Sequence, residues 1–244
     1  MRRTGWAAEL GLAGLLAACG QAEVRRGEPY YPPSVAGQEA ALFGGMDYAA
    51  MPAAHRAALV TAHAEAAFAL YRAGETEAAK AHLQTIDSAR EPLLMLGLET
   101  IGYDPQAIRT VYEHVESGVP GREADTVMEA ARAMLAQLRA GAGGQTGETV
   151  EFLMKTLARD FETGAEAGTI TDPQAYQMAY GLAVAARDLA GSGDPETYGD
   201  LQRELDFLVL MWPRGGPVST AVAPPELQIA EQLSRVKLAL AALP

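Results

Sequence analysis

Residues 53–74 read AAHRAALVTAHAEAAFALYRAG, and this alanine-rich stretch decides the fold class. Alanine costs the least free energy in a helix, and the β-branched residues that suit strands are scarce here. Leu59 and Ala66 fall on one helical face. Gly74 then provides a stop, because glycine adopts the left-handed conformation at a helix C-terminus without strain. The stretch therefore predicts a helix over residues 53–73.

The same composition extends over most of the chain, in which hydrophobic residues make up 49% of 244 positions. That fraction supplies a core, and its bias toward alanine favours helix. We therefore predict an all-α fold of about nine helices, either a multi-helix bundle or a short solenoid of helical hairpins, without a credible strand. After the first helix, the predicted helical segments are 75–86, 93–98, one beginning at 105, 123–139, 149–163, 173–190, 195–211 and 225–242.

Three of these helices share a start signal, an aspartate followed by proline. The aspartate side chain can accept hydrogen bonds from the first free backbone N–H groups of a helix. Proline fits the first helical position because its missing N–H has no partner there in any case. The three pairs are Asp104-Pro105, Asp172-Pro173 and Asp194-Pro195.

The N-terminus carries the features of an export signal. Arg2 and Arg3 precede an apolar run over residues 10–18, which is too short to span a bilayer. The run ends in Leu16-Ala17-Ala18-Cys19, which resembles the lipobox of bacterial lipoproteins. In that family the cysteine thiol takes a diacylglyceryl group, so the resemblance implies lipid attachment at Cys19. The alternatives are an ordinary secretory signal that leaves a free thiol, and a cytoplasmic chain with a fortuitous apolar start.

The lipoprotein resemblance implies a domain organisation. Residues 1–18 would be the signal peptide, 19–36 a proline-bearing lipidated tether, and 37–244 a single all-helical domain. The glycine-rich segment 140–147 is a candidate internal boundary. Position 20 is Gly rather than Asp. In Gram-negative lipoproteins, the lack of Asp at this position is typical of sorting to the outer membrane. The implied location is the outer membrane, facing the periplasm.

The formal net charge of -12 excludes one class of partner. Nucleic-acid binding depends on neutralising phosphates with Lys and Arg, so we expect no nucleic-acid partner. An acidic chain also gains little from anionic lipid, so membrane affinity would come from the N-terminal acyl chains.

Residues 69–83 resemble the turn and second helix of a tetratricopeptide repeat. Tyr71, Gly74, Ala79 and Leu83 fall where that family places an aromatic, a turn glycine, a small residue and a large apolar one. No second copy recurs at a 34-residue period, and at least three repeats are normally needed. The resemblance implies one helical hairpin.

Two of the four histidines are candidates for a metal or haem site. Folding about Gly74 would bring His63 and His82 to comparable heights on facing helices. No compact ligand motif accompanies them. The alternative is that the histidines are solvated or lie at the edge of the core, and the charged neighbour Lys80 predicts that His82 is exposed.

The predicted periplasmic location and helical architecture of this chain are similar to those of imelysin-like proteins, which are linked with iron uptake. Residues 168–177 resemble the start of a helix in this family. Their Gly-x-His-x-x-Glu motif is missing, since His63 is followed by Ala64-Glu65-Ala66. The resemblance therefore transfers no function.

Three aromatic residues are candidates for a ligand groove. Tyr176 and Tyr180 are four apart on one predicted helix, and Trp212 lies in the irregular segment 211–225. They could line a groove for an apolar or ring-bearing ligand. The alternative is that the tyrosines pack in the core and Trp212 caps it.

These observations predict a lipid-anchored, non-catalytic binding or scaffold module of an envelope or transport system. The expected partner is an envelope protein or a small apolar ligand, and no cofactor is predicted. No nucleophile–base set suggests an enzyme, since Ser192 sits in a Gly-Ser-Gly turn between helices. The alternative function is metal or haem handling through His63 and His82.

Overall fold

The computed structural model describes residues 47–118 and 122–244, and residues 47–244 belong to one compact unit. The predicted signal peptide, the tether and Cys19 lie outside the described residues. Within the described ranges, no helix is both long enough and apolar enough to cross a membrane.

The described part of the chain is mostly helical, which confirms the all-α prediction. It contains eight α-helices, a short 3₁₀ helix at Glu99–Ile101 and a two-stranded antiparallel hairpin. The helices are α1 Ala53–Arg72, α2 Thr76–Thr85, α3 Pro105–Ser117, α4 Arg122–Ala142, α5 Thr146–Gly164, α6 Pro173–Gly191, α7 Pro195–Leu210 and α8 Glu226–Ala241. The strands are β1 Ala165–Glu166 and β2 Thr169–Ile170.

The three Asp-Pro pairs start helices as the sequence predicts. Asp104 accepts a hydrogen bond from the backbone N–H of Gln106 at the start of α3. Asp172 and Asp194 each accept two such bonds at the starts of α6 and α7. These caps satisfy donors that have no partner within their own helix.

Two local predictions are wrong. Residues 93–98 form turns instead of a helix, and the strand-free expectation misses the hairpin between α5 and α6. The hairpin turns through Ala167 and Gly168, which both have positive φ. Such a short strand pair leaves no alternating pattern in the sequence. In the segment 140–147, α4 runs to Ala142 and α5 begins at Thr146, so the connection is three residues long.

Helix α1 lies at the centre and contacts α2, α4, α5 and α6. Fifteen of its twenty residues are buried, which explains why it is apolar on nearly all sides. Its contact with α6 is especially close, because a Cβ added at Gly181 would lie 2.1 Å from the carbonyl oxygen of Ala62. The small residues of both helices permit this approach.

Candidate functional site

The structure brings His63 and His82 together, as the fold-back about Gly74 predicts. Their Nδ1 atoms are 3.1 Å apart, and their ring centroids are 5.3 Å apart. The predicted exposure of His82 is wrong, since its side chain is fully buried. Lys80 is the residue of this stretch that points outward, where its ammonium pairs with Glu77 and with Glu116 on α3.

A third polar side chain completes a buried chain of hydrogen bonds. The Nε2 atom of His82 lies 3.4 Å from Oε1 of Gln177 on α6, and all three side chains are at most 3% exposed. The amide oxygen accepts only, so Nε2 of His82 donates to it, and in a neutral ring Nδ1 of His82 then accepts. Nδ1 of His63 is therefore the donor to His82.

Burial keeps both imidazoles neutral. It lowers the pKa of His63 well below the ordinary value of 6.5, and the adjacent His82 lowers it further. Burial also lowers the pKa of His82 to about 4, although the hydrogen bond with Gln177 acts in the opposite direction. A charge on either ring would have to be held away from water, which is costly. Near neutral pH the cluster is an uncharged connection between α1, α2 and α6.

The histidine pair supplies two of the donors that a metal ion would need. A separation of 3.1 Å lets both Nδ1 atoms lie at the 2.0–2.1 Å of a zinc–imidazole bond from one ion. Across the described ranges, however, no group of three or more His, Cys, Asp or Glu side chains could hold a metal. Protein sites for zinc generally use three or four such ligands.

A buried ion pair lies farther along α1 and escaped the sequence reasoning. Arg132 on α4 donates through Nε and Nη2 to the two carboxylate oxygens of Glu65, at 2.8 and 2.6 Å. Its guanidinium also lies over the ring of Phe68, 4.9 Å from the centroid. The Glu65 side chain is only 6% exposed. Such a bidentate pair fixes how α1 and α4 align. Its sequence signal was a lone carboxylate within an alanine-rich helix.

The three aromatic candidates come together as a packed cluster. The Trp212 ring lies 6.2 Å from that of Tyr176, 5.9 Å from that of Tyr180 and 6.0 Å from that of Phe161, measured between centroids. Tyr176 is fully buried and Trp212 is 4% exposed. Trp212 therefore caps the core, Tyr176 belongs to the core, and Tyr180 is half-buried at its edge. Two polar atoms in the cluster, Tyr176 Oη and Trp212 Nε1, have no hydrogen-bond partner among the described residues.

An open groove lies elsewhere, between α2 and α3. Its volume is about 340 Å³, at the small end of the range for small-molecule pockets. Leu83 and Ile108 are buried side chains that line it, and Tyr103 and Tyr112 add aromatic surface. The charged side chains of the groove are those of Asp87, Arg90, Arg109, Glu113 and Glu116.

Hydrogen bonds fix one wall of this groove. Arg90 donates to Oε1 of Gln84 at 3.3 Å, and Nε2 of Gln84 donates to the hydroxyl oxygen of Tyr112 at 3.0 Å. The Tyr103 hydroxyl donates to the backbone oxygen of Ile86, which ties the groove to the end of α2. Since Tyr112 accepts from Gln84, its own O–H remains oriented for another acceptor.

The sequence carried a readable signal for half of the groove. Ile108 and Tyr112 are four apart on α3, as are Arg109 and Glu113, so both pairs face one side. The other half depends on Arg90, which lies in turns after α2 and has no helical register. Periodicity could not place it.

In comparisons with known proteins, no protein-family model, no curated protein and no solved structure matches this chain.

Proposed function

We propose that this protein is a lipid-anchored, non-catalytic binding module of the bacterial cell envelope, with the groove between α2 and α3 as its ligand site. One observation carries the proposal: the groove is open, whereas the side chains of His63, His82, Tyr176 and Trp212 are buried by the packing of the protein itself. A binding site needs polar groups that a ligand can still reach.

The chemistry of the groove supports a small ligand. The half-buried side chains of Pro105 and Tyr112 can contact a ligand body above the buried Leu83 and Ile108, and the polar rim can fix its orientation. The preset Gln84–Tyr112 hydrogen bond reduces the ordering that binding would require. Catalysis forms no part of this proposal.

The ligand site is tested by NMR chemical-shift mapping with a fragment library. We expect hits to perturb the backbone amides of α2 and α3, and Ser88→Trp to abolish them because the indole fills the groove that Ser88 lines. Thr110→Trp is the matched control, since Thr110 is an exposed residue of α3 outside the groove lining. Hits that map elsewhere, or that survive Ser88→Trp in a folded protein, would contradict the proposal.

The anchor is tested separately at Cys19. We expect Cys19→Ser to release the protein into the soluble periplasmic fraction and to remove the acyl mass, because Cys19 is the only thiol of the chain. Ser34→Ala, in the predicted tether, is the control and should stay with the outer membrane. Unchanged membrane partition of Cys19→Ser would exclude lipid anchoring.

Metal handling through His63 and His82 is the second candidate, favoured by the 3.1 Å separation of their Nδ1 atoms. Metal binding would require the shared proton of His63 Nδ1 to move to Nε2 or to leave. We expect metal uptake by the purified protein, measured by elemental analysis, to disappear in His63→Ala/His82→Ala and to persist in His114→Ala. A metal content unchanged by the double substitution would reject this candidate.

A further inference from the structure

The charges around the α2–α3 groove are not all compensated by the protein itself. The Glu116 carboxylate has a partner, because Nζ of Lys80 lies 3.7 Å from it. The same ammonium also pairs with Glu77 and lies 5.9 Å from the centroid of the Tyr112 ring. Lys80 is therefore shared between Glu77 and Glu116, so the protein itself compensates part of the Glu116 charge.

The two arginines of the groove lack such a partner. Arg90 donates to the neutral amide of Gln84, and neither Arg90 nor Arg109 has a carboxylate within 4.0 Å in the described part of the chain. Both are exposed, so their charged groups are open to solvent. Both arginines line the groove together with Tyr112, so the groove offers guanidinium and hydroxyl donors of the kind that bind a carboxylate.

The two remaining acids are equally uncompensated. Asp87 accepts a hydrogen bond from the backbone N–H of Ala89, and no cationic side chain lies within 4.0 Å of Asp87 or Glu113 among the described residues. The groove thus presents two free positive and two free negative side chains around an apolar floor. A ligand with a single charge would satisfy one set and leave the other uncompensated.

We propose that this groove binds a small zwitterion that carries a carboxylate, an ammonium group and a compact apolar body, such as an apolar α-amino acid. The carboxylate lies with Arg90, Arg109 and the Tyr112 hydroxyl, the ammonium with Asp87 and Glu113, and the apolar body against Pro105 and the ring of Tyr112. The volume of about 340 Å³ suits a molecule of this size. This inference rests on the proposed function, because it names the ligand class of the same groove.

The test uses three probes that share one apolar body. Leucine carries both charges, 4-methylpentanoate only the carboxylate, and 3-methylbutylamine only the ammonium group. Binding is measured by NMR titration of the α2 and α3 amides of the full domain at low ionic strength. We expect leucine to bind about tenfold more tightly than either single-charge probe, because each charge-assisted hydrogen bond adds affinity.

Charge-removing variants separate the two ends of the ligand. We expect Arg109→Gln to weaken leucine and 4-methylpentanoate about fivefold and to leave 3-methylbutylamine unchanged, with Glu113→Gln showing the opposite pattern. Arg203→Gln is the matched control, because Arg203 pairs with Asp200 on α7 and is remote from the groove lining. It should change none of the three affinities.

Several results would overturn the inference. If 4-methylpentanoate or 3-methylbutylamine binds as tightly as leucine, the site selects one charge. If leucine does not perturb the groove at millimolar concentration, the zwitterion assignment is wrong. Fragment hits that still map to the groove in that case would leave the binding-module proposal standing, so the two failures are distinguishable.

Discussion

Helix α2 contributes to two polar regions that differ in how their polar groups are satisfied. On one side, His82 joins His63 and Gln177 in a chain that is closed to solvent. On the other side, Gln84 lines an open groove whose charges are mostly left to solvent. Two polar residues only two positions apart on one helix, His82 and Gln84, can thus serve opposite purposes. The buried set must complete its own hydrogen bonds, while the open set can leave its bonds to a ligand.

We therefore expect buried polar groups to contribute mainly to the stability of the fold and the groove charges mainly to ligand binding. A buried polar group that loses its partner pays the full cost of desolvation. An exposed charge keeps its water and contributes little to folding. Substitutions in each region test that division.

Breaking the buried ion pair should have the largest effect. We expect Glu65→Ala to lower the free energy of unfolding by about 3 kcal/mol, the low end for a buried pair, because Arg132 loses its carboxylate but keeps about a third of its side-chain exposure. Urea unfolding followed by circular dichroism measures this. Asp125→Ala is the control, since it removes the exposed Arg72–Asp125 pair and should cost less than about 1 kcal/mol. Equal effects of the two substitutions would contradict the division.

Acidification should destabilise the fold through the histidine pair. The folded-state pKa of His82 is about 4 and the unfolded value is 6.5, so below pH 6.5 the unfolded chain binds a proton that the folded protein excludes. The contribution of neutral His82 to the free energy of unfolding is therefore fully present above pH 6.5, and it is lost as pH falls toward 4. The loss attributable to His82 is about 3 kcal/mol, and His63 shifts in the same direction.

This pH dependence is measured by comparing unfolding free energies at several pH values between 7 and 4. The double variant His63→Leu/His82→Leu should show a much flatter profile, because it removes both buried imidazoles together. Thr110→Ala, which removes no titratable group from an exposed position on α3, should keep the profile of the original protein. A double variant as acid-sensitive as the parent would show that other groups cause the loss.

Removing a groove charge should have the smallest effect on folding. We expect Arg109→Gln to change the free energy of unfolding by less than about 0.5 kcal/mol, because Arg109 is exposed and makes no ion pair in the described ranges. The same urea experiment measures it. A loss above 1 kcal/mol would mean that the groove charges serve stability, and the contrast with the closed region would fail.

Several features of the fold could be predicted because they depend on local chemistry. The helix that ends before Gly74 and the three Asp-Pro starts follow from the conformational freedom of glycine and from capping. The meeting of His63 and His82 could also be predicted, since a tight turn fixes which residues of two adjacent helices face each other.

The rest depended on contacts between segments far apart in the chain. His82 looked exposed beside Lys80, and only the packing of α6 against α1 supplies Gln177 as its second partner. Trp212 looked equally suited to a partner or a cap until α5 and α6 provided the rings that enclose it. The groove was missed because Arg90 reaches it from turns without a periodic pattern.

By itself, the amino-acid sequence determined that this protein is helical, because alanine content, capping residues and turn glycines act within a few residues of one another. It also determined which side chains could carry chemistry. The tertiary structure alone decided which of them are closed and which stay open. Burial and hydrogen-bond partners come from distant segments, and they separate a neutral histidine chain in the core from a charged groove at the surface.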